Sequence, residues 1–398
     1  MGAKWPWRRR LAWLGAIIAL LAGVWVWFFY SVATPRLGNQ NELEGLAAPA
    51  GLDWDEPSNV DSLLTFLATV FVERPANAGI AIGVTRNGSR HIVSRGVRSK
   101  SDPTVFVEES TLFELGSVTK TFTGVALAQA VLDGRISLEQ PIGDFLPTSI
   151  AFPDQVLAIP VGALATHTAG LPSDPPSVSF ITRTFRKNPF KQVTDRQAFE
   201  SLAELEAQVG SGREYSYSNF GFMILGRLLE EATGIPYARL IEEDVAGSLG
   251  MNNTWVEPPE SELSHLAVGH RVGDAVEHWY SIPLPGASGV VSSVPDMLTF
   301  LESHLNSDGT PLAQALRLAM DPRTRASTTV EVALGWHVYT EPDVPRIFYH
   351  NGSMMGFRSY VGMAPELGLG IVVLGNSRDP TISSIGRLIM RALAGIED

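Results

Sequence analysis

Apolar residues recur along the chain with two periods, one typical of helices and one typical of strands. Over residues 59–72 the apolar side chains fall on one side of a helix. Two short β-rich runs follow at residues 78–84 and 91–97, and the Asn87-Gly88 pair between them is a strong hairpin signal. The globular part of the chain is therefore expected to begin with a helix and a β-hairpin.

The middle of the chain has mainly helical periodicity. An apolar run at residues 112–115 leads into a helix that we expect to reach Leu132, with Asp133-Gly134 as its end. From about residue 135 to 285 the pattern indicates helix and loop. The clearest helices of this region are expected at residues 195–209, 220–233 and 240–249.

The last third of the chain returns to strand character after one helix, which begins at Pro295 and covers residues 296–305. Turns are expected at Asn351-Gly352 and at Glu366-Leu367-Gly368, and residues 382–396 form a closing amphipathic helix. The predicted strands are residues 331–339, 346–350, 357–364 and 369–376. Strands thus come from both ends of the chain, which predicts an α+β fold: an antiparallel sheet flanked by terminal helices with an inserted, mostly helical region.

The N-terminal segment is a predicted membrane element. Lys4 and the arginines at positions 8–10 precede an uncharged run at residues 11–30, and about 20 apolar residues suffice to cross a bilayer. The basic flank should stay in the cytoplasm, so a single-pass anchor would hold the rest of the chain outside the cell membrane. The alternative is a signal peptide cleaved near Ser31-Val32-Ala33, which would release a secreted domain.

These patterns divide the chain into three parts. We expect the basic flank and anchor at residues 1–35, a linker rich in small and polar residues at 36–57 and a folded domain at 58–398. A helical subdomain should cover residues of about 118–285 within that domain.

Composition narrows the function classes further. The 398 residues are 45% hydrophobic, which supports a packed core, and the net charge of −12 without a basic stripe argues against nucleic-acid binding. The absence of cysteine excludes disulfides, cysteine-ligated zinc and a thiol nucleophile. No His-Glu-x-x-His motif occurs, so we expect neither a metal nor another cofactor. The oligomeric state is left open.

The strongest candidate chemistry is a serine and a lysine three residues apart, Ser117 and Lys120. Residues i and i+3 of a helix share one face, so the Lys120 amine can reach the Ser117 hydroxyl. A serine hydroxyl becomes a nucleophile when a neighbouring base takes its proton. The pair alone is a weak signal, because a Ser-x-x-Lys match also arises by chance.

Two further stretches follow in order: Tyr217-Ser218-Asn219 and His350-Asn351-Gly352. With Ser117-Val118-Thr119-Lys120 they make the sequence resemble the serine β-lactamase and penicillin-binding protein superfamily, in particular the class C β-lactamase and D-alanyl-D-alanine carboxypeptidase branch. The resemblance covers residues of about 60–395 and implies a β-lactamase/transpeptidase-like fold. It also implies a serine hydrolase that acts on an amide or ester through an acyl-enzyme.

The resemblance implies a role for each matched residue. Ser117 would be the acylated nucleophile, and Lys120 would accept its proton. Tyr217 would protonate the leaving group and then activate the water that releases the acyl group, either as a phenolate or as a proton shuttle. Small-molecule or peptide substrates are the implied partners.

The implied substrate-binding residues are Asn219, His350, Gly352 and Ser353. Asn219 would bind the substrate amide and help to hold Lys120, and Gly352 would let the substrate backbone approach closely. The backbone N–H groups of Ser117 and Ser353 would form the oxyanion hole. His167 is expected to satisfy a turn and to take no part in catalysis.

His350 departs from the pattern of the superfamily, whose third motif usually begins with lysine. A histidine at this position is expected to be only partly charged near neutral pH, whereas lysine is a permanent cation that attracts a substrate carboxylate. The substitution weakens the case for efficient β-lactam hydrolysis and leaves ester, amide or D-amino-acid peptide hydrolysis open.

Two other hypotheses are alternatives to a serine hydrolase of this kind. A sensor or penicillin-binding domain on the same fold would form a stable acyl adduct, although the presence of Tyr217 beside Lys120 argues for complete turnover. An α/β-hydrolase would need a Gly-x-Ser-x-Gly elbow, and the chain contains none.

Overall fold

The computed structural model describes residues 56–178, 188–205, 214–306 and 309–396. The predicted anchor at residues 1–35 and nearly all of the predicted linker lie outside these ranges, so both stay predictions. Among the described residues, no helix combines the length and the apolar character that a membrane span requires.

Strands come from both ends of the described chain, as the sequence predicts. In chain order they are β1 (Gly79–Arg86), β2 (Ser89–Ser99), β3 (Asp102–Phe106), β4 (Phe113–Glu114), β5 (His270–Arg271), β6 (Asp274–Ala275), β7 (Val291–Ser292), β8 (Thr324–Arg325), β9 (Val330–Val332), β10 (His337–Tyr339), β11 (Ile347–Ser353), β12 (Arg358–Ala364) and β13 (Leu369–Gly375).

Nine of these strands form one sheet in the order β3-β2-β1-β13-β12-β11-β10-β9-β8. Every neighbouring pair is antiparallel, and the first strand of the chain pairs with the last, with Ile82 opposite Val373. The expected antiparallel sheet, built from both chain ends, is confirmed.

Helices of the described residues cover the sheet and fill the middle of the chain. They are α1 (Pro57–Val72), α2 (Thr119–Leu132), α3 (Asp154–Leu157), α4 (Val161–Ala165), α5 (Asp195–Ala203), α6 (Asn219–Thr233), α7 (Tyr237–Arg239), α8 (Val294–Leu305), α9 (Pro311–Met320) and α10 (Thr381–Ala394).

The central strands are sandwiched between helices. A side chain at Gly83 of β1 would press on Val294 of α8, whereas one at Gly375 of β13 would press on Ile382 of α10. These two glycines lie on opposite faces of the sheet, so α8 and α10 cover different faces. All seven residues of β13 are buried, which explains why its sequence is a continuous apolar run without alternation.

One apolar cluster joins the sheet to the helical region. The rings of Phe122 in α2 and Phe300 in α8 stack with centroids 4.2 Å apart, and Leu225 of α6 and Leu374 of β13 belong to the same cluster. Helix α2 is consequently buried along residues 119–128.

The predicted helix ends are accurate in most places. Helix α2 ends at Leu132, and Gly134 beyond it has the left-handed backbone expected there. Helix α5 ends at Ala203, earlier than expected, and the predicted end at residue 209 lies outside the described residues. Residues 240–249 are helical but not α-helical, because a π-helix, Leu240–Ala246, is followed by a 3₁₀ turn, Gly247–Leu249.

The prediction of one strand over residues 331–339 is wrong. Strands β9 and β10 are separate and pair with each other antiparallel, with His337 opposite Val332. Gly335, between them, has φ = 79°, a left-handed conformation that reverses the chain. The apolar side chains of this turn are buried. A buried turn is therefore as apolar in sequence as a strand, which is why the pattern predicts the two strands as one.

The expected turn at Asn351-Gly352 is also wrong. Both residues lie inside β11, and the chain turns later, where the Met354 N–H donates to the Phe357 carbonyl at 3.0 Å. Any side chain at position 352 would collide with the Leu115 carbonyl oxygen, so glycine is required here by a close approach of two backbones.

Helix α9 is absent from the sequence-based predictions. It begins at Pro311, and the Thr310 hydroxyl accepts a hydrogen bond from the Ala313 N–H at 3.2 Å. This capping is a recognisable sequence signal for a helix start.

Candidate active site

Ser117 lies in a single 3₁₀ turn, Gly116–Val118, that leads directly into α2. The backbone of Gly116 has φ = 56°, which glycine adopts without strain. A side chain at this position would come within 2.8 Å of the Ser353 amide nitrogen. Strand β11 can therefore approach the turn of Ser117 only because residue 116 is a glycine.

Lys120 follows in the first turn of α2 and is completely buried. Its Nζ lies 3.1 Å from Ser117 Oγ, 2.8 Å from Asn219 Oδ1 and 2.9 Å from the Ala287 carbonyl oxygen. Burial lowers the pKa of the Lys120 amine to about 7, and the nearby Asp174 carboxylate acts in the opposite direction. Near neutral pH a large fraction of Lys120 is therefore an uncharged amine that can accept a proton.

Tyr217 stands on the other side of Ser117. Its ring centroid is 5.1 Å from Lys120 Nζ, and the Ser117 side chain is near enough to moderate the pKa of the phenol. Burial raises the pKa of Tyr217 well above its usual range. A neutral phenol is therefore the dominant form, which favours a proton shuttle over the phenolate alternative.

The N-terminus of α6 holds Asn219 beside Lys120. Ser218 caps this helix, because its hydroxyl accepts a hydrogen bond from the Gly221 N–H at 2.9 Å and donates to the Pro172 carbonyl at 2.7 Å. The structure thus brings Ser117, Lys120, Tyr217 and Asn219 together from two helices that are far apart in sequence.

Strand β11 forms the wall opposite Tyr217 and carries His350, Gly352 and Ser353. A hydroxyl on the next strand ties this wall to the turn of the serine: Ser359 Oγ donates to the Leu115 carbonyl at 2.6 Å. This contact places Ser353 against Gly116 and next to Ser117. The predicted oxyanion hole needs this proximity and stays a prediction.

The expectation of a partly charged His350 does not hold. His350 is 3% exposed, and burial lowers its pKa well below the usual range, with smaller contributions from His337 and Lys120. Its Nδ1–H donates to the Asn351 carbonyl at 2.9 Å, so Nε2 carries the lone pair and has no partner among the described residues. His350 is therefore a neutral imidazole near neutral pH.

A family model described as beta-lactamase matches residues 67–394, which is most of the chain. The chain belongs to the beta-lactamase family. Its fold, with an antiparallel sheet and a helical insert, is that of beta-lactamases and transpeptidases, and the chain is a hydrolase of the class C beta-lactamase and D-Ala-D-Ala carboxypeptidase type. This fold rules out the α/β-hydrolase alternative.

Curated relatives and solved structures span nearly the whole domain. A beta-lactamase of Escherichia coli (strain K12) is 28% identical over 81% of this chain and 90% of its own length, and the D-alanyl-D-alanine-carboxypeptidase/endopeptidase AmpH of the same organism is 27% identical over 78% and 79%. A beta-lactamase/D-alanine carboxypeptidase from Pseudomonas syringae superposes with a TM-score of 0.74 at 25% identity, covering 85% of this chain and 99% of that one. A class C beta-lactamase from Rhodobacter sphaeroides gives 0.71 at 25% identity, over 83% and 99%.

In this member of the beta-lactamase family, histidine side chains lie around Tyr217. His167 has φ = 60°, and its Nδ1 accepts a hydrogen bond from the Ser218 N–H at 3.0 Å, which agrees with its predicted structural role. The ring centroid of His167 is 4.5 Å from that of Tyr217, and the ring of His337, nearly parallel to that of Tyr217, has its centroid 6.4 Å away.

Three residues of this site escaped sequence reasoning: Tyr215, His337 and Asp174. Tyr215 Oη and His337 Nε2 share a hydrogen bond of 2.8 Å, which ties the segment carrying Tyr217 to β10. Tyr215 could have been suspected, because in an extended segment residues i and i+2 point to the same side. Nothing in the sequence near His337 or Asp174 indicates which distant groups they meet.

Proposed function

We propose that the chain hydrolyses an ester or amide through an acyl-enzyme on Ser117. The observation that carries this proposal is the buried Lys120 amine, 3.1 Å from Ser117 Oγ and with its pKa lowered to about 7. A buried amine of this kind can take the serine proton without the help of a histidine.

The proposed reaction has two half-reactions, acylation and deacylation of Ser117. In acylation, Ser117 Oγ bonds to the substrate carbonyl carbon, its proton passes to Lys120, and the carbonyl oxygen becomes an oxyanion held by the N–H groups of Ser117 and Ser353. The bond to the leaving group then breaks, Tyr217 gives its proton to that group, and Lys120 returns the serine proton to Tyr217. In deacylation a water molecule attacks the same carbon and its proton passes through Tyr217 to Lys120. The bond from that carbon to Ser117 Oγ then breaks, and Lys120 gives the proton to the departing oxygen.

The neutral His350 bears on the substrate class. Lysine would hold a permanent charge at this position, whereas His350 offers none to a carboxylate near neutral pH. We therefore propose that neutral esters, or amides such as D-amino-acid peptides, are preferred to β-lactams. A turnover panel of a nitrophenyl ester, nitrocefin, a D-Ala-D-Ala peptide and a D-amino-acid anilide ranks these classes directly.

Replacement of Ser117 by alanine tests the nucleophile. Ser117→Ala should abolish labelling by a fluorophosphonate or penicillin-type probe and lower turnover of the best substrate at least ~10³-fold. Ser101→Ala, a serine outside the site, is the matched control and should label like the wild type. Labelling that survives Ser117→Ala would refute the assignment.

The second candidate function is that of a sensor, which would form a stable acyl adduct. Mass spectrometry of the intact protein distinguishes such an adduct from turnover. A hydrolase loses the added acyl mass as product accumulates, whereas a sensor retains it for hours. Tyr217 supports complete turnover, because its phenol lies beside the base, with its ring centroid 5.1 Å from Lys120 Nζ.

For the location, we propose that residues 1–35 anchor the domain on the outer side of the cytoplasmic membrane. The full chain should then sediment with membranes, dissolve only in detergent and be cleaved by protease added from outside, whereas a variant without residues 1–35 should be soluble. A soluble product that is expressed from the complete coding sequence but lacks the residues before about position 33 would support the signal-peptide alternative.

A further inference from the structure

Asp174 touches the site from a direction that neither the three motifs nor the proposed mechanism uses. It follows the turn at Leu171-Pro172, and the preceding residue, Ser173, accepts backbone hydrogen bonds from Asn219 and Phe220 at 2.8 and 3.2 Å. This seats Asp174 on the first turn of α6, where Asn219 Nδ2 donates to Asp174 Oδ1 at 3.2 Å. Its other oxygen accepts from the Ser173 hydroxyl, also at 3.2 Å.

The carboxylate determines which way the Asn219 amide points. An amide group has one oxygen, which accepts hydrogen bonds, and one NH₂, which donates them, while an ionised carboxylate only accepts. The NH₂ of Asn219 must therefore face Asp174. The amide oxygen is left facing Lys120, and it lies 2.8 Å from Lys120 Nζ.

The orientation matters because Lys120 Nζ has few acceptors to choose from. The Ala287 carbonyl and Asn219 Oδ1 take two of its hydrogens, which leaves the third substituent direction for Ser117 Oγ at 3.1 Å. A reversed Asn219 would set an NH₂ against the lysine amine, remove one acceptor and free Nζ to turn away from Ser117.

Asp174 is also the acidic group whose charge acts on Lys120. The titratable side chains that face this lysine are Tyr217 on the segment before α6, His167 after α4, His337 on β10 and His350 on β11. Burial favours the neutral form of each of these side chains. Asp174 is therefore the charged group that raises the pKa of Lys120 and so opposes the effect of burial.

We propose that Asp174 is a positioning residue of the acyl-enzyme reaction: its carboxylate orients the Asn219 amide and, through that amide, aims the Lys120 amine at Ser117. The inference rests on the proposed function, because it assigns Lys120 as the base. It predicts that Asp174 controls both the rate and the pH at which the base becomes active.

The test is the pH dependence of kcat/KM for Asp174→Asn, measured with the best substrate of the panel. Loss of the negative charge lowers the pKa of Lys120, so the acid limb of the profile should move to lower pH by roughly 0.5–1 unit. At pH 8.5, where Lys120 is mainly neutral in both proteins, kcat should fall about tenfold because the Asn219 amide is no longer held in one orientation.

Two variants make the test specific. Asp174→Glu keeps the charge and should restore the acid limb to its wild-type position, even if the rate recovers only in part. Asp154→Asn removes an equal charge from an exposed position at the start of α3 and should leave the whole profile unchanged.

The outcomes separate the inference from the proposed function. A wild-type profile for Asp174→Asn, or a slower enzyme with an unmoved acid limb, overturns the role of Asp174 while Ser117→Ala remains inactive. Activity that persists in Ser117→Ala overturns the proposed function itself. If Asp174→Asn does not fold, Asp174→Glu decides, because an acid limb displaced despite the retained charge contradicts the inference.

Discussion

Lys120 and His350 lie close enough for the charge of one to affect the protonation of the other, and burial disfavours the charged form of both. Either group alone could hold a proton at modest cost, but two adjacent buried cations repel each other strongly. With a neutral imidazole at position 350, Lys120 is the group that takes up the proton of Ser117. Its pKa of about 7 reflects its burial, which Asp174 opposes, and a neutral His350 adds no further charge to it.

His350→Lys should change both the pH profile and the substrate preference. The added cation lowers the pKa of Lys120, so the acid limb of kcat/KM should move to lower pH, and it attracts carboxylates. The ratio of kcat/KM for nitrocefin to that for the nitrophenyl ester should rise about tenfold, as measured by steady-state kinetics at several pH values.

His350→Gln is the matched control, since it changes the side chain and adds no charge. Its profile should keep the wild-type acid limb. If His350→Lys and the wild type gave the same profile and the same substrate ratio, His350 would have no part in substrate selection.

Among the elements, the reversal between β9 and β10 supports the start of α2 from behind. Gly335 at its tip has φ = 79°, and its α-carbon packs against the Lys120 carbonyl so closely that no side chain fits between them. The hairpin therefore carries His337 into the site and fixes the backbone of Lys120 at the same time.

Gly335→Ala should be markedly more destabilising than Gly134→Ala. Both glycines have left-handed backbones, which alone costs an alanine about 1–2 kcal/mol, but the space around Gly134 is open. The collision with Lys120 should add roughly 1–3 kcal/mol for Gly335→Ala. Urea unfolding of both variants measures the difference, and equal losses would show that the hairpin does not support α2.

Much of the arrangement of elements follows from the sequence, and the reasons differ from element to element. The β1–β2 hairpin, α10 and the strands β12 and β13 were predictable because each is a distinct apolar or amphipathic run bounded by a turn signal. Strands β9 and β10 merged into one prediction because the buried turn at residues 333–336 is as apolar as a strand.

The site was predictable only in part for a similar reason. Spacing identified Ser117 with Lys120, and the resemblance to the superfamily added Tyr217 and Asn219, whose proximity the structure shows. Asp174 and His337 act through contacts with residues distant in sequence, and the protonation of His350 depends on burial. Neither kind of information is present in a local pattern.

At the scale of the whole molecule, the first and last strands of the sheet in chain order, β1 and β13, pair near its centre. The sheet can therefore form only when both ends of the domain come together. Helix α10 packs on β12 and β13, and its Ile382, Ile385 and Ile389 are fully or nearly fully buried. A large apolar cluster also continues from the sheet into the helical region. The domain should therefore unfold as one cooperative unit.

Ile389→Ala tests this cooperativity. The lost side chain should lower the free energy of unfolding by about 2–5 kcal/mol. Because the domain unfolds as one unit, the midpoints from far-UV circular dichroism and from tryptophan fluorescence should fall together.

Leu132→Ala, at an exposed position near the end of α2, is the control and should change the free energy of unfolding by less than about 1 kcal/mol. Two separate transitions in Ile389→Ala would show instead that the helical region folds independently of the sheet.

The contact of Ser359 with Leu115 has a consequence for the growing polypeptide. The turn of Ser117 leaves the ribosome early. The ribosome adds two of its partners more than two hundred residues later: the Ser359 hydroxyl, which ties β12 to this turn, and the β11 backbone, which packs against Gly116. A nascent or truncated chain thus carries the serine and the lysine without their wall. Only a chain that extends through β12 can assemble the site, so hydrolysis cannot begin before that strand has been synthesised.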